Sequence, residues 1–307
     1  MASFINPHDI CYMAIRESMQ DDSERGIISR GAEALRTLDA ALERPAGASD
    51  AEFFRDYCPP LPLNFEPQAD EPEIISLMLQ KRPFRMRARR LWSEGRWLEH
   101  RWAYARLTEF VDAQIARVLD ALEDCDAAER TLVILTSDHG DMDAAHRLEH
   151  KSTLYEEVCR VPLIIRPPAG PAAPRVDRAH LVSNGLDLLP TICDYAGAPL
   201  PDGLHGRTLR PLAEGRPSDS WRLSLPIESA IGRVIVTERF KYAVYDLSTY
   251  GERLIDLLED PGETNNTIIP LRWDYWLFEE LRRDFRRTFG NNDPRPEADV
   301  LKALPDA

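Results

Sequence analysis

The stretch Thr131-Leu132-Val133-Ile134-Leu135-Thr136-Ser137-Asp138-His139-Gly140, followed by His146, His150 and Lys151, decides the reading of this chain. Its apolar, β-branched first half predicts a strand buried on both faces. The polarity then changes abruptly at Asp138. In an open α/β sheet the carboxyl end of a strand is where ligands bind. A carboxylate beside an imidazole at such an edge can hold a divalent cation, and Lys151 brings positive charge for an anionic substrate. The combination suits chemistry on an oxyanion ester.

The same residues have plainer roles open to them. Asp138 can cap a following helix with His139 packed beside it. Carboxylate ligands favour calcium, magnesium or manganese, whereas imidazole leans toward manganese or zinc. The pair therefore does not name the metal, and further ligands must come from elsewhere. Lys151 can be a solvated lysine or an anion contact, and Ser152 or Thr153 can cap a helix after it. His8 follows a proline at the end of Ala2–Ile5, which reads as the tail of a strand and puts the imidazole on the ligand side. His146, His150 and His205 rank below it. Cys58-Pro59-Pro60 is only superficially like a Cys-x-Pro nucleophile motif, and no G-x-S-x-G elbow or Walker-type loop is present.

Outside this stretch, 307 residues suffice for one large α/β domain or one domain with a satellite. Hydrophobic residues at 43% and charged residues at 29% fit a soluble globular protein. A net charge of −14 excludes nucleic acid as a main partner. The basic run Lys81, Arg82, Arg85, Arg87, Arg89, Arg90 and Arg96 reads as a solvated helix face paired with acids. Cys11, Cys58, Cys125, Cys159 and Cys193 are dispersed, which gives no disulfide framework and no zinc ribbon. No segment is apolar for long enough to span a membrane, and Met1–His8 does not read as a signal peptide.

The pattern predicts helix across residues 17–45, an extended proline-rich loop over 58–72 and a long amphipathic helix from Trp97 to Leu122. That helix leads into the Thr131 strand. A second buried strand is predicted at Val161–Ile165, then a short helix within Val182–Ala196. After Ser220, the segments 234–237, 241–245 and 253–257 alternate like the strands of a small antiparallel sheet. A helix from Trp273 to Phe289 closes the chain. The expected division is a catalytic α/β region, 1–219, and a C-terminal α+β subdomain, 220–307.

Five ordered segments resemble the sulfatase family of the alkaline phosphatase superfamily. They are Ser3-Phe-Ile-Asn-Pro-His-Asp; Thr136-Ser-Asp-His-Gly-Asp with Lys151-Ser-Thr-Leu-Tyr-Glu-Glu and Arg160-Val-Pro-Leu-Ile-Ile; Leu204-His-Gly-Arg-Thr-Leu-Arg-Pro-Leu; Thr237-Glu-Arg-Phe-Lys-Tyr; and Leu254-Ile-Asp-Leu-Leu-Glu-Asp-Pro-Gly-Glu-Thr-Asn-Asn. The resemblance implies an α/β sandwich with a central mixed sheet and a small C-terminal antiparallel sheet. It also implies a divalent metal, usually calcium with manganese as the alternative, and hydrolysis of sulfate esters on a small molecule or carbohydrate. Asp138 and His139 match metal ligands of the family, and Lys151 and His8 match groups on the sulfate or leaving-group oxygen. A phosphonate monoester or phosphodiester hydrolase uses nearly the same constellation, and a non-catalytic binding remnant is the reading from another class.

The resemblance also implies what is missing. The family's Asp-Asp metal pair, its Cys/Ser-x-Pro-x-Arg motif oxidised to the formylglycine nucleophile, and a Gly-Lys-x-His segment all lie upstream of the matched region. The expectation is a truncated or shortened gene, no turnover by these residues alone, and a possible complementing N-terminal half. Any export signal would precede Met1, so localisation stays open.

Overall fold

A computed structural model of the chain describes residues 1–20, 22–168, 173–216, 220–248, 251–266 and 275–290. Ala2–Ile5 is irregular and mostly exposed, not a strand tail, and leads into a single 3-10 turn at His8–Ile10. Helices follow: α1 (Cys11–Ser18), α2 (Asp22–Arg30), α3 (Ala32–Leu42), α4 (Asp50–Glu52), α5 (Glu73–Gln80), α6 (Pro83–Leu91) and α7 (Glu94–Asp124). Local chemistry explains several of the starts. Ser49 and Glu52 form a reciprocal capping box on α4, Pro83 opens α6, and the Ser93 hydroxyl accepts from the Arg96 amide to cap α7.

These helices close on a core of Ile10, Met13, Leu38, Phe84, Trp97 and Leu107. Trp97 meets Trp92 edge to face with ring centroids 4.9 Å apart. Much of the basic run is paired with acids, Arg87 with Glu24, Arg89 with Glu71 and Arg96 with Glu17, but only Arg90 is exposed, so it is a partly buried set of ion pairs and not a solvated face. Arg85 is buried against Glu149. The apolar stripe of α7 continues past its packed half, leaving Val118 44% and Leu119 37% exposed.

The Thr131 run forms β1 (Val133–Thr136), antiparallel to β2 (Leu163–Arg166) with Leu135 opposite Ile164. No residue of either strand is buried, and Ile164 is 62% exposed. The expectation of strands buried on both faces is not met, because among the described residues no third strand extends this ribbon. Between the two strands lies α8 (Glu156–Cys159), and after them α9 (Asn184–Ala196) and α10 (Arg210–Ala213). Ser183 caps α9, and Gly197 ends it in the left-handed conformation that glycine adopts without penalty.

A four-stranded antiparallel sheet follows in simple order: β3 (Leu225–Ser229), β4 (Gly232–Val236), β5 (Phe240–Tyr245) and β6 (Glu252–Asp256). Its alternation has a physical reading. Val234, Val236, Ala243 and Tyr245 pack with Ile74, Ile75 and Met78 of α5 and with Met142, Leu154 and Tyr155. Ile235, Tyr242, Val244 and Leu254 face Leu281 and Phe285 of α11 (Tyr275–Phe289). The sequence pattern missed β3 because of Pro226. That residue is tolerated because β3 is an edge strand.

Candidate active site

The exit of β1 is held from the α9 side. Asn184, the first residue of α9, donates its side-chain amide to the Ser137 carbonyl at 2.6 Å. One turn on, Asp187 is fully buried and receives both guanidinium nitrogens of Arg222, each at 2.6 Å. It also accepts the amides of Ser183 and Arg207, each at 2.8 Å. A buried carboxylate saturated in this way is a rigid strut.

Beyond the strut, His139 Nδ1 lies 2.7 Å from the Gly140 carbonyl, and His139 Nε2 lies 2.7 Å from Lys151 Nζ. The carbonyl can only accept, so Nδ1 carries the proton and Nε2 presents its lone pair to the ammonium group. Asp138 Oδ2 is 3.5 Å from His139 Nε2, and its side chain is 84% exposed. Partial burial opposes ionisation of Asp138. His139, the amides of Asp138 and His139, and Lys151 outweigh it and lower the pKa.

Lys151 arrives at the end of an unusual excursion. Asp143, Ala144, His146, Arg147, His150 and Ser152 all have positive φ although none is glycine. Each such residue costs on the order of 1–3 kcal/mol and persists only where its surroundings over-determine it. Here they do. Met142, Ala144, Ala145 and Leu148 are buried, and the His146 amide donates to the Asn64 carbonyl at 2.7 Å. Arg101 pairs with Asp143 at 3.0 Å.

The His8 and His150 rings meet edge to face, 6.0 Å apart at 78°. Burial, then Lys151, and in smaller measure His139, lower the His8 pKa against the opposing pull of Asp9 and Asp141. Burial is likewise the main cause of the lowered pKa of His150, with Arg85, Lys151, His8 and His139 adding to it. His8, His139, His150 and Lys151 therefore share one electrostatic environment, with Asp138 on its rim. Sequence reasoning named all of these but ranked His150 low. Its position next to Lys151 was the available signal.

The other candidates fall away for physical reasons. His146 is buried and stacked on Tyr155 with centroids 4.2 Å apart, and His205 is exposed. Burial pushes the Cys58 thiol up to about 11 and the Cys11 thiol up to about 12, so neither is a thiolate nucleophile at neutral pH. Ser152 and Thr153 cap no helix. The first amide of α8, from Glu156, is taken by the Glu263 carboxylate at 2.6 Å. As for a divalent metal, an exposed carboxylate beside an imidazole fits part of a coordination set. Among the described residues no group of three or more His, Cys, Asp or Glu is arranged to complete one.

The chain belongs to the sulfatase family: the family model described as Sulfatase matches residues 39–198. A second, described as the C-terminal region of N-sulphoglucosamine sulphohydrolase, matches residues 144–275. A Delta 4,5-hexuronate-2-O-sulfatase of Bacteroides thetaiotaomicron is 34% identical over 187 residues, which are 57% of this chain and 38% of that protein. The solved structure of a 2-O GAG sulfatase superposes with a TM-score of 0.73 at 26% identity, over 96% of this chain and 61% of that one. The phosphonate monoester hydrolase of Agrobacterium radiobacter follows at a TM-score of 0.55 and 29% identity, over 64% of this chain and 42% of that one. The fold is thus the alkaline-phosphatase-like α/β architecture of the family. The chain spans well under half the length of the hexuronate sulfatase and about three-fifths of the GAG sulfatase.

Proposed function

We propose that this chain carries the oxyanion-binding and leaving-group side of a sulfatase active site acting on a sulfated, acidic carbohydrate. The observation that supports this best is the convergence of Lys151 and His8 on the Asp138-His139 strand end. Lys151 can neutralise charge on the sulfuryl oxygens as it builds up in the transition state. With its pKa lowered, His8 is mainly neutral above pH 6.5, the ordinary value for histidine. A bound sulfate ester would raise that pKa again and prepare His8 to give a proton to the leaving oxygen. Asp138 would hold a divalent cation, calcium or manganese, joined by His139 through Nε2 once Lys151 has left that lone pair for the sulfuryl oxygens, and the cation would supply further positive charge at the same oxygens.

The attacking group is a separate matter. Neither Cys11 nor Cys58 is ionised, and formylglycine, the nucleophile the family resemblance implies, has no matching residue in this chain. The proposal is therefore binding without turnover by these residues alone, with a complementing N-terminal half as the source of the nucleophile. The hexuronate and GAG sulfatases among the relatives favour a sulfated uronate-containing saccharide over a phosphonate ester.

The test is calorimetric titration of the calcium-loaded chain with an unsaturated hexuronate 2-sulfate disaccharide and with a phenylphosphonate monoester. Replacing Lys151 by Ala should weaken the sulfated ligand by about tenfold or more, the scale of one lost charge-assisted contact. Equal affinity in both proteins would defeat the assignment of Lys151, and tighter phosphonate binding would favour the second reading.

A further inference from the structure

We infer that Asp141 is a positioning residue whose carboxylate staples the 141–150 excursion closed, so that Lys151 is delivered onto His139. The inference rests on the reading of Lys151 as the oxyanion contact, but its geometry stands apart from the reaction.

Asp141 is fixed from the strand side. The Gly140 amide donates to the Val158 carbonyl at 2.9 Å, and a Cβ on Gly140 would lie 1.9 Å from the Glu157 carbonyl oxygen. The chain therefore enters Asp141 pressed against the backbone of α8 and cannot shift. From that base, Asp141 Oδ1 accepts the amides of both Asp143, at 3.0 Å, and His150, at 3.2 Å. The Met142 amide donates to the His150 carbonyl at 3.0 Å, closing the neck a second time.

What this neck restrains is Lys151. The lysine sits between His150 at φ 80° and Ser152 at φ 85°, two conformations that free residues of these types rarely occupy. Released, His150 would relax toward the ordinary right-handed or extended regions, and the peptide carrying Lys151 would rotate with it. Neighbouring pairs hold the outer part of the excursion, Arg85 with the buried Glu149 at 3.2 Å and Arg101 with Asp143 at 3.0 Å. Among the described residues, only the Asp141 side chain bonds the His150 amide directly. The requirement is a single acceptor oxygen at the right place, not a negative charge. Asn can meet it and Ala cannot.

Pulsed acetylation of the full chain, read by mass spectrometry at each lysine, tests this without any turnover. Lys241 is 1% exposed in its pair with Glu156 and Glu263 and serves as the internal report on folding. In Asp141→Ala, Lys151 should be modified roughly three- to tenfold faster than in the wild type, the range set by one net hydrogen bond. In Asp141→Asn the rate should stay near the wild-type value, and Lys241 should remain protected in both. An unchanged Lys151 rate in a folded Asp141→Ala protein would overturn the inference, as would an Asp141→Asn protein as reactive as Asp141→Ala. Should Asp141→Ala not fold, amide exchange in the wild type decides. A protected His150 amide supports the staple, and exchange at the rate of free loop amides removes it. Loss of sulfated-ligand binding by Lys151→Ala is a separate result, so a failure of the sulfatase reading leaves this outcome legible.

Discussion

Acidification should loosen the Lys151 excursion from beneath, through His146. This imidazole is fully buried, stacked on Tyr155 at an interplanar angle of 20°, with Nε2 3.3 Å from Asn64 Nδ2 and, among the described residues, no hydrogen-bond partner at Nδ1. Burial, then Arg89 and Arg253, lowers its pKa from 6.5 to about 4. The sign follows directly. As pH falls below 6.5 the unfolded chain takes up a proton that the folded protein refuses until about pH 4, so stability is lost across that window. At pH 5.0 the gap spans about 1.5 pH units at 1.36 kcal/mol each, or about 2 kcal/mol. Whole-protein acid sensitivity does not isolate this effect. Burial raises the Glu263 carboxyl to about 7, so its contribution runs the other way, growing as pH falls from about 7 toward 4.5. The diagnostic comparison is with His146→Asn, because Asn tolerates the left-handed φ of 54° at this position. Urea unfolding of both proteins at pH 7.5 and 5.0 should show a loss about 2 kcal/mol smaller in the variant. Identical losses would refute the buried neutral histidine.

Two other perturbations probe the supports of the site. Asp187→Ala leaves Arg222 without its buried counter-ion and the Ser183 and Arg207 amides without their acceptor. It should cost about 3–5 kcal/mol, and a thermal melt close to wild type would show that the strut is dispensable. Phe285→Ala removes a fully buried ring that meets Tyr242 edge to face at 5.4 Å. A loss of about 3–5 kcal/mol by urea denaturation is expected, and less than about 1 kcal/mol would mean that α11 does not anchor the C-terminal sheet.

Much of this architecture was legible because local signals and packing agree. The periodicity from Trp97 to Leu122 became α7, and the alternation after Ser220 became β4, β5 and β6 because both of their faces are covered. The Thr131 run was legible as a strand but not as a half-exposed one, since apolar pattern reports the burial a strand is suited to rather than the neighbours present. Ala2–Ile5 misled for a related reason, as β-prone residues make a strand only where a partner edge exists. Asp138, His139, Lys151 and His8 could be singled out as candidates because their residue types and spacing carry chemistry. The Asp141 neck and the Asp187–Arg222 strut could not, because a carboxylate that accepts backbone amides looks in sequence like any other acid.

The C-terminal sheet bears on the site through a short series of contacts. Lys241 of β5 is buried between Glu156 and Glu263, at 3.0 and 3.1 Å, and Glu263 in turn takes the first amide of α8. At the other end of α8, the Val158 carbonyl receives the Gly140 amide, one residue from His139. A buried ion pair adds little net stability over an apolar substitute, but losing one partner is costly because the other charge is stranded. The Lys241 cluster therefore fixes position more than it adds stability. It sets where α8 sits against the sheet, α8 sets where the strand end carrying Asp138 and His139 turns, and that turn sets the base from which Asp141 holds Lys151. A displacement of α8 would move both arms of the site together. This is the physical reason for treating residues 133–166 and the sheet beyond Ser220 as one support for the proposed sulfate-binding groups.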